Sequence, residues 1–207
     1  MRFQRALCLG LLGFLSQGHV LAHILSKRTF WEDGMVEWPQ KPTVQLKDIK
    51  NMKDIHLGHP VYKAEVEGFG TVAYKHWNTG LSKDLAYRLV GAEVEAYRAI
   101  EGKSIGPKFL AIVEKDGRPV GILLELIDDA DALGEGDLES CVNKLKALHK
   151  QGVLYGDDLA SSQFLKKHGN FWLIDYEWAH PPGKDQSKEE TEAEMEREVA
   201  VLREWWA

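Results

Sequence analysis

Leu148-His149-Lys150-Gln151-Gly152-Val153-Leu154-Tyr155-Gly156-Asp157-Asp158-Leu159 is the stretch on which the fold turns, with Gln163-Phe164-Leu165 close behind it. Val142, Leu145 and Leu148 share one face at helical spacing, so a helix is expected from about Leu138 to Gln151, stopped by Gly152. A loop with two adjacent aspartates follows. After a turn at His168-Gly169-Asn170 the chain returns as Phe171-Trp172-Leu173-Ile174, an apolar run that reads as a strand and ends on the carboxylate of Asp175. Helix, acidic loop and acid-tipped strand together deliver several carboxylates to one place from rigid supports.

The segments upstream read mostly as strands. Val61–Glu67 and Thr71–Trp77 alternate and are rich in strand formers, and Gly68-Phe69-Gly70 between them predicts a β-hairpin. Lys75 lies inside the second strand, where an ammonium among apolar residues needs a partner. A helix is expected from Leu81 to Ile100, and it carries Glu93 on a different face from the polar positions around it. Phe109–Glu114 and Pro119–Leu126 read as two further strands around Asp116-Gly117. An acidic, glycine-containing connector, Asp128–Asp137, follows them as a hinge. Beyond Pro181-Pro182-Gly183, Lys188–Trp206 predicts a glutamate-rich helix that docks through Met195, Val199, Leu202 and Trp206, with its glutamates on a solvated face.

A chain of 207 residues suits one domain or two small lobes sharing a cleft. The formal net charge of -6 gives no basis for non-specific binding to nucleic acid or to an anionic membrane. Residues 1–22 run from a basic start (Arg2, Arg5) through the apolar stretch Ala6–Leu15 to Val20-Leu21-Ala22, the layout of a secretory signal peptide. The apolar stretch is too short to cross a bilayer core of roughly 30 Å, so no stable membrane insertion is expected. The expectation is a leader over 1–22, an extended lead-in over 23–48 and a secreted or lumenal protein. A cytoplasmic location is the alternative, because only Cys141 would remain after cleavage and no Asn-x-Ser/Thr sequon is present.

In chain order these features are a strand lysine, a helix glutamate, an acidic hinge, a helix ending His-x-x-Gly, an aspartate loop and an apolar strand ending in aspartate. That arrangement holds a nucleoside triphosphate: the lysine pairs with phosphates, the glutamate holds the lysine, one carboxylate binds Mg²⁺ and a loop aspartate orients the attacking hydroxyl. Leu148–Leu159 with Gln163-Phe164-Leu165 resembles the catalytic loop of phosphotransferases of the aminoglycoside and choline kinase type. Ile174-Asp175-Tyr176-Glu177-Trp178-Ala179 resembles their Ile-Asp-Phe/Tyr-Glu metal-binding motif. Ala92-Glu93-Val94-Glu95-Ala96-Tyr97 is similar to the Glu-x-x-Ala-Tyr helix of small fungal kinase-like proteins.

The resemblance covers about residues 50 to 206. It implies a two-lobed α+β protein-kinase-like fold, with a small β-rich N-lobe over 49–126 and a reduced helical C-lobe over 127–207. It also implies ATP and Mg²⁺ as cofactors, Lys75, Glu93 and Glu125 on the nucleotide, Asp175 and Gln163 on the metal, and a hydroxyl-bearing acceptor. Aligned on Tyr155-Gly156 the catalytic aspartate is Asp157; aligned on the spacing to the downstream amide it is Asp158, and the metal-binding asparagine falls on Gln163.

Three departures accompany this resemblance. Leu57-Gly58-His59-Pro60 stands where the family has a Gly-rich loop, and Pro60 has no amide hydrogen for a phosphate. Tyr155 replaces a histidine, and Gln163 replaces an asparagine. They keep open a second function, a pseudokinase that uses the fold as a binding or regulatory module for a protein partner.

Overall fold

A computed structural model of the chain describes residue 38 and residues 40–55, 60–77, 83–156 and 159–206. The expected leader, most of the lead-in, the Leu57–His59 part of the phosphate-loop position, and both Asp157 and Asp158 lie outside the described residues.

The fold is mixed α+β. Its strands are β1 (Thr43–Gln45), β2 (Ile49–Asp54), β3 (Val61–Val66), β4 (Gly70–His76), β5 (Phe109–Lys115), β6 (Arg118–Glu125), β7 (Phe164–Lys167) and β8 (Asn170–Leu173). Its helices are α1 (Lys83–Ala99), α2 (Leu138–His149) and α3 (Lys188–Glu204). The first six strands form one sheet in the order β1-β5-β6-β4-β3-β2, antiparallel throughout except for the parallel pair β1–β5. β7 and β8 form a separate antiparallel hairpin.

Side chains on successive strand residues point to opposite faces, and the sheet uses both. Val44, Ile49, Ala64, Val72, Ala111 and Leu123, one from each of the six strands, meet in a single buried cluster, so the sheet curls around its own apolar face. Ala73, Ile112, Ile122 and Leu124 point the other way. They join a larger cluster with Val94 and Tyr97 of α1, Val142 and Leu145 of α2, Leu173 of β8 and Leu202 of α3. Gly121 in β6 lets β4 approach: a Cβ there would sit 2.4 Å from the Lys75 carbonyl oxygen.

The segment read as an extended lead-in is partly woven into this sheet. Trp38 is buried against Phe109, with ring centroids 4.7 Å apart, while Lys41 and Arg98 cover its ring at 4.9 and 5.5 Å. Thr43–Gln45 then pairs with Ile112–Glu114. β2 and β7 are strands in stretches where the sequence pattern announces none.

Cys141 faces inward from α2, and burial pushes its thiol up to about 12, so it behaves as a small apolar side chain. α3 opens on a capping box: Glu190 N–H donates to Ser187 Oγ at 3.1 Å, and Ser187 N–H donates to Glu190 Oε2 at 2.8 Å. Leu202 is fully buried, while Val199 and Trp206 pack against the core. The expectation of a wholly solvated glutamate face is corrected at Glu198, which is 7% exposed. It lies three residues after Met195 and four before Leu202, so helical geometry turns it inward with the apolar stripe. Among the described residues no helix is long and apolar enough to cross a membrane.

Candidate functional site

Lys75 is the centre of the site. It sits on the face of β4 that looks away from the curled interior, in register with Ile122 of β6, and is 5% exposed. Its ammonium meets three carboxylates: Glu93 Oε1 at 2.9 Å, Asp175 Oδ1 at 2.7 Å and Glu177 Oε1 at 3.0 Å. Burial opposes its charge, but these three acids outweigh that cost and hold the ammonium protonated well above the usual lysine range.

α1 brings Glu93 to the site from its buried face, and the residue is 0% exposed. One carboxylate oxygen takes Lys75, and the other accepts from the Trp77 indole N–H at 3.3 Å. Burial pushes this carboxyl up to about 7; Lys75 opposes the shift, and the neighbouring Glu177 and Asp175 reinforce it. Three acids around one ammonium leave the deepest of them the readiest to keep its proton.

Asp175 follows β8, where the chain turns with φ +65°. That left-handed backbone is uncommon for a residue with a side chain, and here it accompanies a carboxylate turned towards Lys75. Tyr176 beside it is fully buried. Its ring lies 5.0 Å from Tyr97 and 6.0 Å from Tyr155, and Tyr97 lies 5.7 Å from Phe109. A column of four aromatic rings therefore supports the acid from behind. Tyr155 donates its hydroxyl to the Ile174 carbonyl at 2.9 Å.

These groups open onto a cavity of about 460 Å³, within the range of roughly 300–1,000 Å³ usual for small-molecule sites. Lys75, Glu93, Glu125, Gln163 and Asp175, five of the residues singled out from sequence, all line it. Glu125 closes β6 at its rim and accepts from Lys108 N–H at 3.1 Å. Gln163 is buried, with its amide oxygen accepting from Ser162 Oγ at 2.6 Å. Asp157 and Asp158 lie outside the described residues, immediately after Gly156.

The approach to those two aspartates is fixed by a residue that sequence reading missed. Glu198 Oε1 accepts from Gly156 N–H at 2.8 Å, while Glu198 Oε2 accepts from Tyr155 N–H at 3.1 Å and lies 2.7 Å from His149 Nε2. Gly156 has φ +99°, and a Cβ on it would fall 2.6 Å from the Trp178 carbonyl oxygen, so only glycine fits. Glu177 is the second residue missed; it stood inside a quoted motif in which only the aspartate had been given a task.

The donor chemistry suits a hard cation and a phosphate-bearing ligand. Asp175, Glu177 and Gln163 offer oxygen donors of the kind Mg²⁺ prefers, and Lys75 offers the ammonium. The Tyr97 hydroxyl is a buried donor on the cavity wall with no hydrogen-bond partner among the described residues, a group that a ligand or water atom would satisfy. Among the described residues no three His, Cys, Asp or Glu side chains are arranged to hold a metal ion by themselves. No model of a known protein family matches this chain, and no curated protein matches it.

Proposed function

We propose that the cavity binds ATP with Mg²⁺ and that the protein is a phosphotransferase of the protein-kinase-like superfamily, with a β-rich N-lobe over residues 49–126 and a reduced helical C-lobe over residues 127–207. The observation that carries this reading is the meeting of Lys75 with Glu93 at 2.9 Å and with Asp175 at 2.7 Å, across strand, helix and post-strand turn. A lysine so held is aimed at phosphate oxygens, and its partner on α1 fixes where it points. Asp175 and Gln163 would hold Mg²⁺, which supplies charge neutralisation on the transferring phosphoryl group. Asp157 or Asp158 would accept the proton of the attacking hydroxyl on a protein or small-molecule acceptor.

A second reading, a pseudokinase that acts as a binding or regulatory module, is favoured by Tyr155. It is 1% exposed and its hydroxyl is committed to the Ile174 carbonyl, so it does not stand in for the polar histidine of the resembled loop. The deciding experiment is thermal unfolding of the full chain with and without ATP and Mg²⁺. A ligand at about a hundred times its dissociation constant stabilises by roughly 2.7 kcal/mol, which for this size raises the midpoint by roughly 5–10 °C. The phosphotransferase reading expects that rise, and expects Lys75→Met to abolish it. No rise at millimolar ATP moves the conclusion to the second reading.

A further inference from the structure

We propose that the protein has a second ligand site, a cavity of about 500 Å³ at the end of α1, and that this site takes a small aromatic carboxylate. The inference does not depend on what occupies the Lys75 cavity.

The end of α1, the loop that follows it, α2 and β8 all contribute to the wall. Tyr97, Pro107 and Glu125 line this cavity and the Lys75 cavity alike, so the two spaces share one partition. Lys75 and Asp175 line only the first, and Lys108 and Lys144 line only the second. The second cavity therefore has charges of its own.

Those charges are unevenly engaged. Of the two acids on the wall, Glu101 is paired with Lys41, and Glu125 accepts from the Lys108 backbone N–H at 3.1 Å. Among the described residues neither the Lys108 nor the Lys144 ammonium is paired with a carboxylate. Lys144 donates to the Ser104 carbonyl, and burial pushes its ammonium below the usual lysine range with no acid opposing the shift. An ammonium in that position is stabilised by an anion. With Lys41 counted, three ammoniums stand against two carboxylates, an excess of one positive charge in a chain whose formal net charge is -6. One negative charge balances that excess. The second charge of a phosphate would face Glu101 and Glu125 uncompensated.

The rest of the wall suits an apolar body. Phe171 is buried and Trp172 half-buried, and both line the cavity, so a flat ring can leave water against them. Tyr97 supplies an observation independent of the lysines. Its hydroxyl is buried and has no hydrogen-bond partner among the described residues, which is uncommon in a folded chain. Burial holds it well above the ordinary tyrosine range, so it remains a donor, and a carboxylate oxygen is an acceptor for it.

The test is calorimetric titration of the full chain with cinnamate and with cinnamyl alcohol, which has the same flat body without the charge. Cinnamate is expected to bind at least about tenfold more tightly than the alcohol, the scale of one charge-assisted hydrogen bond. Lys144→Met is expected to weaken cinnamate about tenfold and the exposed Lys108→Met about threefold, while Lys144→Arg keeps wild-type affinity. Asp175→Asn alters only the Lys75 cavity and is expected to leave cinnamate binding unchanged. No cinnamate binding, or equal binding of the alcohol, overturns the proposal. So does wild-type affinity in folded Lys144→Met and Lys108→Met; should Lys144→Met fail to fold, Lys108→Met decides alone. A gain of more than about threefold in Asp175→Asn, the scale of one removed carboxylate charge, places the probe beside Lys75 and overturns the second site as well. None of these results touches the nucleotide reading.

Discussion

Glu198 on α3 accepts the backbone N–H of Gly156 across 42 residues of chain. The same carboxylate accepts from Tyr155 N–H and contacts His149, so one buried side chain ties α2, α3 and the start of the aspartate loop together. Glu198→Ala would leave two buried backbone donors without an acceptor, at about 1–3 kcal/mol each. We expect a loss of about 3 kcal/mol in urea unfolding, and about half of that for Glu198→Gln, which keeps one oxygen acceptor. A loss below about 1 kcal/mol in the alanine variant would show that the loop is held by something else.

The carboxyl of Glu93 predicts an unusual pH dependence. Its folded-state value stands near 7 against an ordinary 4.5, because burial raises it and the neighbouring Glu177 and Asp175 add to the rise, with Lys75 opposing them. Between those values the folded chain holds a proton that the unfolded chain releases. This group's contribution is therefore fully present below about pH 4.5, is lost as pH rises towards 7, and is level above that. One proton gives a slope of roughly 1 kcal/mol per pH unit. Urea midpoints from pH 5 to 8 should show the fall in the wild type and lose it in Glu93→Gln; a parallel fall in both chains would assign it to another group.

Asp175→Asn separates the fold from the ligand. Asparagine tolerates the left-handed backbone that residue 175 adopts, and its removal of charge relieves a site with more carboxylates than cations. Stability without ligand should change by less than about 1 kcal/mol. The Mg²⁺-dependent part of any ATP-induced rise in midpoint should disappear. A variant that keeps that part would remove Asp175 from the metal.

On the phosphotransferase reading either of the adjacent aspartates Asp157 and Asp158 would be the base, and alanine at each decides between them. The spacing to Gln163 predicts that Asp158→Ala abolishes phosphoryl transfer while nucleotide binding survives, and that Asp157→Ala retains at least about a tenth of the activity. General bases contribute roughly 10²–10⁴-fold, so the two outcomes are well separated. The reverse result would favour alignment on Tyr155-Gly156.

The parts of this site that the sequence revealed are those where a charge interrupts an apolar pattern. Lys75 within alternating β4, and Asp175 closing the run Phe171–Ile174, stand out because burial there is costly without a partner. Glu93 stood out by its helical face. Glu198 was legible on the same principle, since its spacing to Met195 and Leu202 sets it on the apolar stripe, but the surrounding glutamates hid it. Three-residue β1 and four-residue β7 are too short for periodicity to declare. Their strand character comes from partners distant in sequence: β1 pairs with β5, and β7 is joined by β8 beyond a turn. Glu177 needed coordinates, because nothing in a turn after a strand announces which way its second acid points.

The contact between Lys75 and Asp175 spans 100 residues of sequence, which bears on how fast the protein folds. Loop closure of that length comes late, after the more local hairpins have formed. Interactions that are absent from the transition state alter the unfolding rate and leave the folding rate nearly untouched. A ligand gripped by these two residues should therefore slow unfolding in stopped-flow experiments while refolding proceeds at its unliganded pace. For this chain, occupancy would lengthen the lifetime of the native state more than it would hasten its arrival.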